Sequence, residues 1–532
     1  MPDGLQGSAE RSSFAGVRRI VRICLWLVAV LPVSAEELDP HSVAVLYNSA
    51  VPESKQLADI FREARNIPEG NLIGLEMPVA QDISREDYIT KIQNPLRAEF
   101  DKRSWWSRGK DASGVLLPTS NDMRVLVLMK GVPLKIQPAP LPEGFKVPEN
   151  DPIAGRNEAS VDSELAMFGA EGLPIQGVLK NAYFGSEKPI SESAFPFLIL
   201  TSRIDGASFA TCERIIRDAI EVEKTGLWGM AYVDIANKFP QGDEWLNAIV
   251  IENRNAGIPT VVDRFDDTLP MNYPMTDAAL YYGWYDWNLS GPFLNPAFKF
   301  RKGAVAMHLH SFSADQLQDP MKNWSAGLLE KGAAATIGNV YEPYLGLTHY
   351  FEILHKRLLA GHTWVEACWM SIPVASWQGI TLGDPFYRPF LHLDNTGKMA
   401  AGDNDFRALR AAAMKWPSDS ATRQKQLMGA AVRMKSGIVS EAIALEAVEG
   451  GRMAEGALWF RNAEENHQVP QDKLRQRLNL AAIERKEGRK DLAIRDLKAI
   501  GETYGSLPEA TAAKGWLDIL DPPAPPPAAP KQ

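Results

Sequence analysis

Ser42-Val-Ala-Val-Leu-Tyr47 carries an unbroken apolar run, the pattern of a strand covered on both faces, and the stretch behind it decides the fold. Asn48 and Ser49 lead to Pro52, and Leu57, Ile60, Phe61 and Ala64 then recur at helical spacing behind that proline. Asn66-Ile-Pro-Glu-Gly70 stops the helix, and residues 71–77 are apolar enough for a second strand. Strand, loop, helix, strand is therefore the building unit.

The alternation continues downstream. Val125 to Met129, Phe197 to Thr201, Leu227 to Val233, Thr260 to Val262, Ala279 to Trp284, Ala304 to Leu309 and Ala333 to Gly338 are short apolar runs. Helical patterns separate several of them: Cys212 to Thr225, with Ile215, Ile216, Ala219 and Ile220 on one face, Trp245 to Asn255, and Trp324 to Lys331. Such alternation predicts an α/β domain with a parallel, doubly wound sheet. The Pro-rich residues 132–152 read as a surface insertion. Past Phe390 the strand-like runs stop, and Ala, Glu, Lys, Arg and Leu dominate from Asp405 to about Asp518. Gly451-Arg452 and Gly488-Arg489 each precede a helical pattern, and Leu480 to Ile483 supplies another, as in tetratricopeptide pairs, with a plain helical bundle as the alternative.

At 532 residues the chain needs more than one ordinary core. Arg18, Arg19 and Arg22 precede the apolar run Ile23 to Val33, and Ser34 and Ala35 come next, the layout of a secretory signal peptide. That run is about half of the roughly 20 residues a bilayer span needs. The expected organisation is a signal peptide over 1–35, an α/β domain over 36–395, a helical domain over 396–520 and a Pro-rich tail over 521–532. Export to the periplasm or beyond the cell is expected, with no stable membrane anchor after cleavage. A net charge of −9 without a basic run gives nucleic acid no footing. After cleavage Cys212 and Cys368 remain, which excludes a disulfide-rich scaffold and leaves one bridge open.

Chemistry in an open parallel sheet gathers beyond the carboxyl ends of its strands. There the sequence places Asp234, Asp263 with Asp266 and Asp267, Asp286, His308-Leu-His310-Ser311, Glu342 and Asp384. Each Asp has an alternative use as a helix cap. His308 and His310 are two apart, so on a strand they share a face and are candidate metal ligands, with Asp263, Asp286 or Glu342 as a third. They are equally able to bond carbonyls under a loop, and the expected cofactor is none unless a divalent metal sits there. A nucleophile arrangement would use Ser311 or Ser313 beside His310, oriented by Asp286. No G-x-S-x-G elbow supports it. Tyr281, Tyr282, Trp284, Tyr285 and Trp287 form an aromatic cluster, a platform for sugars or peptides unless it packs a core. Candidate binding residues are Asp234, Asp263, Trp284, Tyr285, Glu342 and Arg388; candidate catalytic residues are His308, His310, Ser311 and Asp286.

Val43-Ala-Val-Leu-Tyr-Asn48, Ala159-Ser-Val-Asp-Ser-Glu164, Tyr282-Gly-Trp-Tyr285, His308-Leu-His-Ser-Phe312, Gly338-Asn-Val-Tyr-Glu-Pro343 and Gly383-Asp-Pro-Phe-Tyr-Arg-Pro-Phe390 together resemble a family of exported bacterial proteins without an assigned activity. More distantly, residues 304–385 are similar to gingipain-type cysteine peptidases of the caspase-like fold. That resemblance implies a strand bearing the nucleophile, a helix, a Gly-Ala strand, a long helix over 363–376 and a closing Gly383-Asp-Pro385. Such peptidases end one strand in His-Gly and the next in Cys; here Gly283-Trp-Tyr285 and His308-Leu-His-Ser311 stand instead. The resemblance therefore implies a fold without the dyad, and a protein that binds a peptide, glycan or protein partner. The alternative is a hydrolase built on His308, His310 and nearby acids.

Overall fold

The pleat of each central strand sends neighbouring residues to opposite faces, and both faces are covered. The structure, a computed structural model, describes residues 37–151, 153–265 and 268–522. The expected signal peptide, most of the Pro-rich tail, and Asp266 and Asp267 lie outside the described residues.

One ten-stranded sheet organises the chain. Its strands are β1 (Val43–Asn48), β2 (Leu72–Leu75), β3 (Val125–Met129), β4 (Leu200–Ile204), β5 (Met230–Asp234), β6 (Thr260–Asp263), β7 (Ala278–Gly283), β8 (Val305–His308), β9 (Ala335–Asn339) and β10 (Gly379–Gly383). They lie in the order β6-β5-β7-β8-β9-β10-β4-β3-β1-β2. β2, β1, β3 and β4 are mutually parallel, as are β6, β5, β7, β8 and β9. β10 joins the two sets, antiparallel to β9, with Leu382 opposite Arg203 of β4. The strand expected at 197–201 sits three residues later, because the chain before it turns through Phe195 and Phe197 and Ile199 N–H is held by the Ala166 carbonyl.

In the first set, Val43, Val45, Val125 and Val127 pack on α1 (Pro52–Arg65) and α2 (Phe209–Glu223), while Ala44, Leu46, Leu126 and Leu128 pack on the helical residues 85–102. In the second set, Leu280, Tyr282, Val305 and Met307 face α3 (Pro240–Asn255), α5 (Phe351–Leu359) and α6 (Trp364–Ser371). Between β8 and β9 lies the short α4 (Ser325–Glu330). The long helix expected over 363–376 ends at Ser371, since Pro373 lacks a donor and disfavours helical backbone before it.

On the opposite face of that second set the crossovers supply one short helix, α4, through Leu328, and leave the rest of the face open. That rest is covered by the helices after residue 403: α7 (Asn404–Lys415), α8 (Ser420–Met434), α9 (Gly437–Glu449), α10 (Met453–Asn466), α11 (Pro470–Lys486), α12 (Lys490–Tyr504) and α13 (Ala512–Leu520). Trp228, Met230, Tyr232, Phe265 and Tyr281 share one core with Phe406, Leu474, Leu478, Leu497 and Trp516. Trp516 stacks on Phe265 at 4.3 Å. Composition changes near residue 395; the core does not. The two Gly-Arg turns stand where expected, Gly451 and Gly488 taking φ of +78° and +76°, a region that favours glycine.

A fully buried polar cluster pins these helices to the sheet. Arg475 on α11 bonds both Glu441 oxygens at 2.7 Å, Asp472 at 2.8 Å and the Pro274 carbonyl at 3.2 Å. His467 adds a 3.0 Å bond to Glu441. Cys212 and Cys368 are free, buried thiols in separate cores, so the bridge left open by the sequence is not made. No helix among the described residues is long and apolar enough to cross a membrane.

Candidate functional site

Parallel register aligns the strand ends: Asp234 lies opposite Asp263 and Gly283, and Gly283 opposite His308. The residues beyond them form one rim. A cleft of about 260 Å³ opens there, lined by Phe239, Trp284, Tyr285, Leu309, His310, Ser311, Asn339, Glu342, Pro343, Tyr344, Leu345 and Thr348.

Trp284 forms its floor. The indole lies against Gly242 at the start of α3, where a Cβ would stand 2.2 Å from the ring, and its Nε1 donates to Asp243 at 2.9 Å. Tyr285, half exposed, tilts over the His310 ring at 4.8 Å, and Trp287 meets the same ring edge-on at 4.9 Å. Ser311 Oγ donates to Glu342 Oε2 at 2.6 Å, and Tyr344 N–H donates to Glu342 Oε1 at 2.9 Å. Asn339 Oδ1 accepts from Thr348 Oγ1 at 3.0 Å.

The two histidines part company. β8 ends at His308, so the two-residue alternation that would put both rings on one face stops before His310. His308 is buried, stacked on Trp324 at 3.4 Å, with Nδ1 beside the Tyr281 hydroxyl at 3.1 Å and Nε2 accepting the Asp286 N–H at 3.2 Å. Burial, then the neighbouring His310, holds its ring well below the usual imidazole range. Both nitrogens are thus engaged, Nδ1 with Tyr281 of β7 and Nε2 in bracing the 284–287 loop, and the His308/His310 metal pair is not assembled. Among the described residues no group of three His, Cys, Asp or Glu is placed to hold a metal ion.

His310 reaches the cleft. Its Nδ1 bonds the Ser311 carbonyl, which leaves Nε2 as the acceptor of the neutral ring. Burial lowers its pKa, and the Ser311 carbonyl, Asp286 and Glu342 only partly offset this. The expected Ser311–His310 nucleophile pair is absent, because Ser311 gives its proton to Glu342. Ser313 Oγ instead accepts the Asn339 N–H. Asp286 does not orient His310 by hydrogen bond: its carboxylate accepts the Trp287 N–H at 2.7 Å and its carbonyl accepts Trp324 Nε1 at 2.8 Å.

Other candidates fall outside the cleft. Asp234 and Asp263 are buried and accept the N–H groups of Leu269 and Phe265, holding the loops after their strands. Arg388 follows β10, which runs against β9, and so lies at the far edge of the sheet; its neighbour Tyr387 bonds the Gly303 carbonyl just before β8. Asp384 is there too, paired with Arg65 at 2.7 Å. The structure brings together Trp284, Tyr285, His310, Ser311 and Glu342 from the sequence-derived set. Phe239, Asn339, Tyr344 and Thr348 join them; Asn339 ends an apolar run, a signal the sequence offered, whereas Phe239 sits in a loop without one. Comparison of the chain with family models, curated proteins and solved structures returned no match.

Proposed function

We propose that this chain is an exported, peptidase-like protein that has lost its catalytic dyad and uses the strand-end cleft to bind a partner molecule. The reading of the fold as caspase-like is supported by the order β8, α4, β9, α5 and α6, then β10 ending in Gly383-Asp-Pro385. The observation that carries the function is the makeup of the rim. Where such a peptidase would present histidine and cysteine, the chain presents Trp284 and Tyr285 over one strand and a braced His308 on the next. Ser311 is tied to Glu342, so no activated nucleophile stands in the cleft. Aromatic walls with a few convergent polar groups are the makeup of a binding site.

The test is a parallel screen of immobilised peptides and glycans against the wild type, Tyr285→Ala and Glu342→Gln, with the bound ligand checked for cleavage. Retention that both substitutions weaken, with the ligand intact, is the expected result. Turnover abolished by His310→Ala would replace this reading with the hydrolase one.

A further inference from the structure

Resting on the binding reading above, we infer that the cleft takes one ring of a neutral glycan. Its hydrogen-bonding inventory is mixed. His310 Nε2 and the Glu342 carboxylate are acceptors, and the Asn339 amide, whose Oδ1 is used by Thr348, presents Nδ2 as a donor with no partner among the described residues. An ammonium or guanidinium group brings donors only and leaves Asn339 unmet. A carboxylate or phosphate brings acceptors only and meets Glu342, the one charged side chain lining the cleft. A hydroxyl both donates and accepts, so it satisfies all three.

The apolar half of the inventory agrees. Phe239, Tyr285, Trp287 and Tyr344 are 50%, 41%, 53% and 38% exposed, and all four stand in or beside this cleft. A sugar ring couples outward hydroxyls to C–H groups that form flat apolar faces, and exposed aromatic rings supply matching surfaces. At about 260 Å³ the cleft is slightly smaller than sites for drug-sized ligands, so one ring enters and the next lies on the exposed aromatics.

The experiment is titration calorimetry of residues 36–532 with chitotriose, cellotriose and maltotriose, beside trialanine and Gly-Lys-Gly, each up to ~10 mM. At least one sugar should give saturable heat, weakened tenfold or more by Tyr285→Ala and by Asn339→Asp. The latter keeps the Thr348 bond and exchanges the donor for an acceptor; circular dichroism checks that each variant is folded. Sugar binding indifferent to both substitutions overturns the assignment to this cleft. Silence from all three sugars overturns the glycan inference; if a tripeptide then binds in a Tyr285-dependent way, the binding reading survives it. If neither class binds, that reading falls as well.

Discussion

Replacing Arg475 by methionine should cost the protein about 3–5 kcal/mol, because it breaks a buried pair and strands one member. Glu441 and Arg475 are essentially inaccessible, and both carboxylate oxygens of Glu441 receive the guanidinium at 2.7 Å. After the substitution only His467 remains within bonding distance of that carboxylate among the described residues. The loss is a large share of the roughly 5–15 kcal/mol that separates folded from unfolded domains. Urea unfolding followed by tryptophan fluorescence reads it as a lower midpoint at unchanged slope. Adding Glu441→Gln to Arg475→Met should restore part of the loss, since the most deeply buried carboxylate is then gone and only Asp472 has lost its guanidinium partner. Burial alone would raise the Glu441 pKa, but Arg475 and His467 hold it well below the usual carboxylate range. Its contribution is therefore complete above the unfolded value near 4.5 and fades as pH falls below it. The double variant should lose that acid dependence. A midpoint shift worth less than about 1 kcal/mol for Arg475→Met would refute the claim that these helices seal the sheet.

Gly242→Ala should drive a methyl group into the Trp284 indole and cost about 1–3 kcal/mol, seen as a lower melting temperature and an altered near-ultraviolet signal from the cleft. His308→Leu should leave the Asp286 N–H without its acceptor, cost about 1–3 kcal/mol, and raise hydrogen exchange in residues 285–288; unchanged exchange would show that the ring does not brace the loop. His349 and His355, pushed down to about 3 by burial, stay neutral when folded. The unfolded chain takes up their protons below about 6.5, so stability should fall by about 1.4 kcal/mol per pH unit for each between pH 6.5 and 3, and His355→Gln should flatten the slope. Truncation after residue 396 should expose Trp228, Tyr232 and Phe265 and yield aggregates in size-exclusion chromatography, where a separable domain would run as a monomer.

The sheet was legible because its strands are covered on both faces and so read as continuous apolar runs; Val125 to Met129 stands as expected to the residue. The hairpin of Trp106–Lys110 with Leu116–Asn121 gave no such signal, since it is half exposed and carries Ser, Arg, Thr and Asn. Several strand-end residues were legible from topology alone. Their roles were not, because hydrogen bonding depends on which way the chain leaves the strand. Asp234 and Asp263 turn inward to hold loops, Glu342 opens to the cleft, and a single residue, Leu309, separates His308, which ends the strand, from His310, which is also buried but lines the cleft. Arg388 was misplaced because an antiparallel closing strand cannot be told from a parallel one by its apolar pattern.

The outer face of β5 also waits for its cover. Tyr232 is made long before Trp516, which stands 284 positions later, and chains are synthesised at roughly 5–20 residues per second. For roughly 15 to 60 seconds, therefore, the aromatic face that begins at Tyr232 grows without the C-terminal helices that cover it. Order of synthesis thus makes the last hundred residues the step that commits the whole chain, and anything that interrupts them leaves a sticky half-sheet rather than a smaller working protein.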